Sequence, residues 1–522
     1  MLANDEGSLV FAFCAVPSYT DSMKRPFLLL VFCAVLFLLP TPSHAISDIL
    51  PVTSESVVAY PDYRIAVLLA TFPDNPEKPS SWSKSTINAA LFTNDNSMAA
   101  FYAQSSDGKV SVTGTVFDNN GSWYTIPRPS SKNETCDWDP FFADAVAAAD
   151  ADIDFSVFNT IFVLAPQLSC STGGHTWSVA VPDAQGNVYR TVEVDGAFSF
   201  MPHHELGHLI GMDHANSWEC EGGTLTGKNC TSVEYGDRYS VMGVGNPRML
   251  EPAAPHKENL GWLTDAEIST VSQDGDYTIS YYEDRQATAK VLKIPKKVES
   301  GGTVSEWYYL EYRRATGYDN ITDMVPTAET LGVTKGALVH SGSSEGRYIT
   351  TTLLDMTPGS LPGRDIFDPA LPTGYSFTDT NAGVSFGILR RSDASMTIRV
   401  LFGGASLCER RSPKIAVKQK NRSVKRGETT AYEVTVTNRS TLCGKQTIEM
   451  RKTLAPNAWK VSISKKKSTA VLFAPDEKKK FIVRVMPVKT ALLQTRTIRI
   501  QARLKYAQQR QTTATLKTTV RQ

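Results

Sequence analysis

The sequence predicts a multidomain protein in which a mixed α/β (α+β) part is followed by a β-rich part and a C-terminal β-sandwich. The chain has 522 residues, which is too long for a single hydrophobic core. Its contents of hydrophobic (41%) and charged (20%) residues are those of a globular protein, which argues against wholesale disorder. Both the secondary-structure signals and the sign of the charge change along the chain, which indicates separate parts.

The net charge of +1 conceals an asymmetry. Residues 406–522 contain 28 Lys and Arg against 6 Asp and Glu, whereas residues 1–405 contain 26 against 47. Two parts of opposite charge argue for separately built modules. We therefore place the β-sandwich at 406–522, a β-rich companion domain at 266–405 and the α/β domain at 46–265.

In the α/β domain, strand and helix signals are mixed. The runs YRIAVLLATFPD (63–74) and FNTIFVLAP (158–166) predict buried strands. The segment GKVSVTGTVF (108–117) alternates valine with polar residues, as an antiparallel strand does. Helices are predicted for TINAALFTNDNSMAAFYAQSS, DPFFADAVAAADAD and GAFSFMPHHELGHLIGM.

From about residue 265 the signals are almost all of strands. Short runs such as DYTISYY, AKVLKIP, EWYYLEYRR and GALVHSG are separated by Gly, Pro and Asp turns. After residue 406, the runs AYEVTVTNRS, WKVSISK, KKFIVRVMP and TRTIRIQARLKY recur with the short spacing that is typical of a β-sandwich.

The N-terminus has the pattern of a secretory signal peptide. Two basic residues precede the apolar run FLLLVFCAVLFLLP, and the segment TPSHA ends at Ala45 with small residues at positions −3 and −1. The apolar core is too short to span a membrane comfortably. We therefore expect residues 1–45 to be removed and the protein to be secreted or associated with the cell surface. Met23 is the favoured start, with residues 1–22 as a gene-model extension; a long n-region is the alternative.

The number of cysteines agrees with export of the protein. Six of the eight follow Ala45, and an even number in an oxidising compartment suggests disulfides. Proximity along the chain alone selects the pairs Cys136–Cys170, Cys220–Cys230 and Cys408–Cys443. Zinc–thiolate sites are the alternative, but the sequence contains no CxxC pair.

The segment HHELGHLIGMDHA, residues 203–215, contains four of the eight histidines. On a helix, His204 and His208 lie at i and i+4, so both imidazoles leave the same face and can bind one metal ion. Gly211 permits the left-handed turn at which a helix can end, and this bend would bring His214 back as a third ligand. His203 adds nothing to the pattern, and we assign it a structural role.

Three neutral imidazoles with one open position are typical of a catalytic zinc site, because structural zinc sites are closed by four protein ligands. Zinc lowers the pKa of its water and polarises a carbonyl group, while Glu205 can take the proton and pass it to the leaving amine. The sequence leaves open whether the protein binds a second metal. The acidic loops YDNITD, GRDIFD and FTDTN could bind Ca²⁺, and the alternative is that they are solvated turns.

The pattern HExxHxxGxxH resembles that of the metzincin zinc peptidases, whose second mark is a methionine turn below the metal. Here EYGDRYSVMG places Met242 28 residues after His214. Together, HELGHLIGMDHA and EYGDRYSVMG resemble the gametolysin family and, less closely, the immune-inhibitor-A family. Flanking segments extend the resemblance over about residues 60–402. It implies a secreted zinc endopeptidase with the three histidines as ligands, Glu205 as general base and Met242 as a hydrophobic floor.

The sequence departs from other metzincin groups at two positions. Matrix and snake-venom metzincins have Asp directly after the third histidine, where this chain has Ala215. Astacins and serralysins have a tyrosine ligand two residues after the methionine, where this chain has Val244. Tyr239 is a candidate transition-state donor, with burial in the turn as the alternative.

Two other classes of function stay open. One is an inactive peptidase fold used for adhesion or binding, which the presence of Glu205 argues against. The other is a zinc amidase that acts on cell-wall crosslinks. Residues 406–522 resemble the immunoglobulin-like or fibronectin-like sandwiches of secreted hydrolases, and their positive charge suits an anionic cell envelope or an acidic polysaccharide. They contain no recognisable nucleic-acid-binding motif.

Overall fold

The structure, a computed structural model, describes residues 62–130, 137–166, 174–195, 200–220, 225, 230–243, 249–320, 331–343, 349–360, 365–463 and 470–522. These residues belong to one compact unit that spans residues 56–522. The predicted signal peptide and the predicted pair Cys136–Cys170 lie outside the described residues, as does Val244.

Strands and helices are mixed in the first part of the chain, as predicted. Its elements are β1 (Asp62–Thr71), α1 (Lys84–Asn88), α2 (Met98–Ser105), β2 (Ser111–Phe117), β3 (Tyr124–Thr125), α3 (Trp138–Ala149), β4 (Thr160–Ala165), β5 (Gly174–Pro182), β6 (Val188–Asp195), α4 (Met201–Ile210), β7 (Met212–Cys220), β8 (Cys230–Val233) and α5 (Ala254–Asn259). One sheet has the order β2-β1-β4-β6-β5, with β3 paired to β1. Only β5 is antiparallel to its neighbour, and it ends the sheet.

The sequence of β1 explains its central position. Nearly all its side chains are buried, which is typical of a parallel strand covered on both faces. Ile65 and Val67 pack on one face in the core that also contains Leu206 of α4. Ala66 and Leu68 pack on the opposite face with α3. The sheet therefore supports α4 on one side and α3 on the other.

The prediction that β2 is antiparallel is wrong. It pairs with β1 in parallel, from Asp62 opposite Ser111 to Leu68 opposite Phe117. Because β2 is the edge strand, one of its faces is largely exposed while Val112 and Val116 of the other face are buried. An exposed edge strand gives the same alternation as an antiparallel strand, so the pattern indicates exposure rather than direction.

The middle part is β-rich, as predicted. Its strands are β9 (Ile268–Thr270), β10 (Gly275–Ser280), β11 (Val291–Val298), β12 (Val304–Glu311), β13 (Gly336–Gly342), β14 (Ile349–Leu354), β15 (Leu371–Pro372), β16 (Ser376–Asp379), β17 (Val384–Arg391) and β18 (Ser395–Phe402). One sheet has the order β8-β7-β14-β13-β12-β11-β9, with β15 on β13, and a second has the order β10-β18-β17-β16. Strands β7 and β8 precede residue 266, so this sheet continues across the predicted domain boundary, which stays a prediction.

The C-terminal part consists of two sheets around one hydrophobic core. Its strands are β19 (Lys414–Val417), β20 (Asn421–Lys425), β21 (Thr430–Thr437), β22 (Gln446–Leu454), β23 (Lys460–Ile463), β24 (Ala470–Phe473), β25 (Lys478–Met486), β26 (Thr495–Leu504) and β27 (Ala507–Arg521). The orders are β19-β21-β25-β23 and β20-β27-β26-β22-β24. The immunoglobulin-like or fibronectin-like assignment stays a prediction.

Two of the three predicted disulfides are present. Cys220–Cys230 joins β7 to β8, and Cys408–Cys443 lies at the start of the C-terminal part. No helix among the described residues is long and apolar enough to cross a membrane.

Candidate metal centre

Helix α4 and the strand that follows it carry the three histidines of the motif. The helix ends at Gly211, whose φ of 119° lies in the left-handed region that favours glycine. The Gly211 N–H donates to the carbonyl oxygens of Gly207 and His208, and β7 begins at the next residue. This sharp change of direction is why His214, on the strand, returns to the face of the helix that carries His204 and His208.

The three imidazoles converge on one point. One ring nitrogen each of His204, His208 and His214 lies within 4.8 Å of the other two. Their ring centroids are 4.8 to 5.7 Å apart. This is the only group of three or more His, Cys, Asp or Glu residues close enough to hold a metal ion within the ranges that the structure describes.

Each ring also has a partner on its other nitrogen. The Nδ1 atom of His204 lies 3.0 Å from the carbonyl oxygen of Val241, and that of His208 lies 2.9 Å from the carbonyl oxygen of Met212. The Nδ1 atom of His214 lies 2.7 Å from Oε1 of Glu234. A proton on Nδ1 satisfies all three acceptors, which leaves the Nε2 lone pairs for a metal and fixes the ring orientations.

Burial keeps the two helical histidines neutral, the form that binds a metal. Burial, together with the neighbouring His208, lowers the pKa of His204 to about 3. Burial also lowers the pKa of His208 to about 4, against the hydrogen bond to Met212. A set of three converging imidazoles on a partly buried surface fits zinc, which accepts nitrogen ligands and keeps a position for water or substrate in catalytic sites.

Glu205 lies beside the histidines and is only 4% exposed. The Thr176 hydroxyl of strand β5 lies 2.6 Å from Oε2 of Glu205 and 2.9 Å from its carbonyl oxygen. Burial raises the pKa of Glu205 to about 7, although the hydrogen bonds from Thr176 act in the opposite direction. The carboxyl group is thus held in one orientation, with a pKa close to neutrality.

Met242 is fully buried beneath the helix. A Cβ atom at Gly207 would lie 2.4 Å from the Met242 sulfur, so only glycine allows the methionine to approach this closely. The Met242 carbonyl oxygen accepts a hydrogen bond from the Ala215 N–H, and the preceding Val241 carbonyl holds His204. The methionine turn therefore contacts the site both from the helix and from β7.

Two other residues singled out in the sequence do not face the metal centre. The Tyr239 hydroxyl donates a hydrogen bond to the carbonyl oxygen of Phe367, and its ring packs with Leu250 and Leu338 in a separate core. The role considered for Tyr239 as a transition-state donor is therefore not supported by its position. His203 is buried against the edge of Phe101, in agreement with a structural role.

The acidic loops proposed for Ca²⁺ are described only in part. Within them, both carboxylate oxygens of Asp319 accept from Arg313, and Asp379 accepts from Tyr308 and from backbone N–H groups. These carboxylates are occupied by protein donors. Residues 321–323 and 363–364 of the loops lie outside the described residues, so Ca²⁺ stays a prediction.

Three residues of the site were missed from the sequence: Thr176, Glu234 and Tyr235. The Tyr235 ring centroid lies 3.9 Å from that of His214 and 5.9 Å from that of His204. Glu234 and Tyr235 belong to the same segment, EYGDRYSVMG, that identified Met242. This segment could therefore have indicated both residues as members of the site. Nothing in the local sequence distinguishes Thr176, which meets Glu205 only because β5 ends the sheet next to α4.

Comparison with known proteins identifies the first part of the chain. Residues 77–324 match the family model described as gametolysin peptidase M11, and this range contains the three histidines, Glu205 and Met242. No curated protein matches the chain. Similar solved structures include a family 123 glycoside hydrolase from Clostridium perfringens (7% identity, 21% of this chain and 27% of that chain, TM-score 0.18). Another is PapD-like domain 7 of human CEP192 (10% identity, 21% and 84%, TM-score 0.16), and scores this low support no conclusion about the fold.

Proposed function

Because the chain belongs, through residues 77–324, to the gametolysin family of metallopeptidases, we propose that it is a secreted zinc-dependent endopeptidase. The observation that carries this proposal is the convergence of three imidazoles beside a buried carboxyl group. His204, His208 and His214 would hold zinc through their Nε2 atoms. Zinc, when bound, supplies Lewis-acid chemistry: it lowers the pKa of water and polarises a carbonyl group.

Glu205 is the residue we propose as general base. Its carboxylate would accept the proton of the attacking water and then deliver this proton to the nitrogen of the leaving amine. A positive charge held by the three histidines would favour the ionised form of Glu205, which counteracts the effect of burial on its pKa. The Thr176 hydroxyl, 2.6 Å from Oε2, would keep the carboxylate in one orientation during both transfers.

Strand β5 offers a way to bind the substrate backbone. It is the terminal strand of its sheet, and among the described residues it pairs only with β6. Gly174, at its start, is so close to Glu205 that a Cβ atom there would lie 3.0 Å from Oε1. An extended peptide that added to this edge would pass the proposed base, with main-chain hydrogen bonds providing affinity for many sequences.

Removal and return of zinc test this proposal. We expect the purified protein to contain one zinc ion per chain, to lose casein hydrolysis after dialysis against a chelator and to recover it with stoichiometric zinc. Zinc content and hydrolysis are measured on the same samples. We expect His208→Gln to lose both, because it removes a ligand, whereas His203→Gln should retain zinc.

Three outcomes would contradict the proposal. Casein hydrolysis that persists in the zinc-free protein would exclude a zinc mechanism. Zinc binding without hydrolysis of any protein would favour an adhesion protein. Zinc-dependent release of amine from cell-wall crosslinks, without cleavage of casein, would favour an amidase.

Secretion is supported by the predicted signal peptide and by the two disulfides, which form and persist in oxidising compartments.

We further propose that the C-terminal part binds an acidic polysaccharide through the outer face of the sheet formed by β20, β27, β26, β22 and β24. Buried and outward residues alternate along parts of β20, β22, β26 and β27. The outward positions carry six cations and, on β22, the acidic residue Glu449, which pairs with one of them. The six are Lys425, Arg451, Arg499, Arg503, Lys517 and Arg521. A face with this charge would attract carboxylated or sulfated sugars.

The triple substitution Arg451→Glu, Arg499→Glu, Lys517→Glu should make the protein elute from a heparin column at a lower salt concentration. The matched control reverses Lys414, Lys460 and Lys480, which lie on the other sheet. The two variants have the same net charge, so equal shifts would contradict a specific face and indicate a general charge effect.

A further inference from the structure

Tyr235 is placed directly against the metal centre. Its ring centroid is 3.9 Å from that of His214 and 5.9 Å from that of His204, and the residue is 38% exposed. It therefore contacts two of the three proposed ligands and also faces solvent. The preceding residue, Glu234, lies 2.7 Å from Nδ1 of His214.

The backbone holds Tyr235 in an uncommon conformation. Its φ is 58°, in the left-handed region that bulky residues seldom occupy and that is often found at functional sites. The Tyr235 N–H donates to Oδ1 of Asn216, two residues after His214 on β7, at 3.0 Å. The next residue, Gly236, must be glycine because a Cβ atom there would lie 2.0 Å from the Ser217 hydroxyl oxygen. The turn is thus fixed to β7 at several points, and the ring is fixed on the histidines.

The hydroxyl group of Tyr235 has no hydrogen-bond partner among the residues that the structure describes. Two buried tyrosines differ: Tyr239 donates to the Phe367 carbonyl and Tyr282 to the Pro252 carbonyl. The ring packs on the histidines and its hydroxyl is free, so the hydroxyl can donate a hydrogen bond to a polar group of a bound substrate.

We propose that the Tyr235 hydroxyl donates a hydrogen bond to the oxygen of the scissile carbonyl as negative charge develops on it. The phenol keeps its proton, and the water proton still passes through Glu205 to the leaving amine. Donors aimed at such an oxygen stabilise the transition state more than the ground state. This inference rests on the proposed peptidase function, and it gives Tyr235 the role that the sequence pattern suggested for Tyr239.

Tyr235→Phe tests the role because it keeps the ring on His214 and removes only the hydroxyl. We expect kcat for a fluorogenic peptide to fall about 10²-fold, with KM changed by less than about threefold. The melting temperature and the zinc affinity, measured by competition with a chromogenic chelator, should equal those of the wild type. A peptide phosphinate, which presents a tetrahedral anion, should bind about 10²-fold more weakly by calorimetry, whereas a product peptide should bind equally well.

Two further variants separate catalysis from packing. Tyr239→Phe is the matched control and should leave kcat unchanged. Tyr235→Leu should lower kcat as Tyr235→Phe does and also weaken zinc binding, because the ring no longer packs on His214. If Tyr235→Phe has the kcat and phosphinate affinity of the wild type, Tyr235 only packs and the inference is wrong. If the wild type cleaves no peptide, the proposed function fails instead.

Discussion

Glu205→Gln should lower kcat for peptide hydrolysis by about 10³-fold or more. Glutamine has nearly the same shape, and its side-chain oxygen can still accept the hydrogen bond from Thr176, but it cannot take a proton from water. The zinc content should not change, because Glu205 supplies no ligand to the group formed by the three histidines. The expected result is thus a folded, metal-loaded protein without hydrolytic activity.

Stability provides an independent control for this variant. Glu205 is 4% exposed, and burial disfavours its charged form, so a neutral glutamine should not lower the melting temperature of the metal-free protein. Thr176→Ser, which keeps the hydroxyl, should retain most activity, whereas Thr176→Val should lower kcat less than Glu205→Gln does. A glutamine variant that keeps more than about a tenth of wild-type kcat with zinc bound would rule out Glu205 as the general base.

The convergence of the three histidines could be predicted from the sequence because their geometry is local. The i and i+4 spacing of His204 and His208 determines their common face on a helix. The left-handed turn at Gly211 then determines where His214 lies, only three residues later. The three imidazoles converge as this local reasoning predicts.

Tyr235 and Thr176 could not be predicted in this way. The position of the Tyr235 ring depends on one left-handed φ angle and on a hydrogen bond to Asn216, 19 residues earlier. Thr176 reaches Glu205 across 29 residues because an antiparallel strand ends the sheet. Tyr239 was the more obvious candidate from its place beside Met242, but its hydroxyl points to Phe367, 128 residues away.

The order and direction of the strands also could not be predicted from the sequence. The buried runs of β1 and β4 predicted strands correctly, since burial on both faces leaves a continuous apolar sequence. Their neighbours could not be read from composition, and β2 was assigned the wrong direction. Likewise, β7 pairs in parallel with β14, which follows it by more than a hundred residues, so His214 and His340 lie on strands of one sheet.

His340 links that sheet to the methionine turn, and we expect its replacement to be strongly destabilising. It is fully buried, with Nε2 2.9 Å from Oδ2 of Asp237 and Nδ1 3.1 Å from Oε1 of Glu311. Burial alone would lower the pKa of His340, but Glu311 and Asp237 outweigh it and raise the pKa to about 9. The imidazolium is thus the cation between two buried carboxylates at neutral pH. His340→Gln should lower the free energy of unfolding by about 3–5 kcal/mol at pH 6, because both carboxylates would lose the positively charged imidazolium as a partner.

The pH dependence of this loss identifies its cause. A folded-state pKa of about 9 lies above the ordinary value of 6.5, so the stability from His340 is complete below pH 6.5 and disappears as the pH rises through 9. The difference between wild type and His340→Gln in urea unfolding should therefore be much smaller at pH 9.5 than at pH 6. His256 is the matched control: it is equally buried, but burial lowers its pKa to about 4, so the effect of His256→Gln should change only on the acid side. An equal loss at pH 6 and pH 9.5 for His340→Gln would mean that the imidazole is neutral in the fold. Because Asp237 also accepts the Tyr239 N–H and donates its own N–H to the Ala215 carbonyl, the loss of His340 should loosen the turn below the proposed metal centre as well.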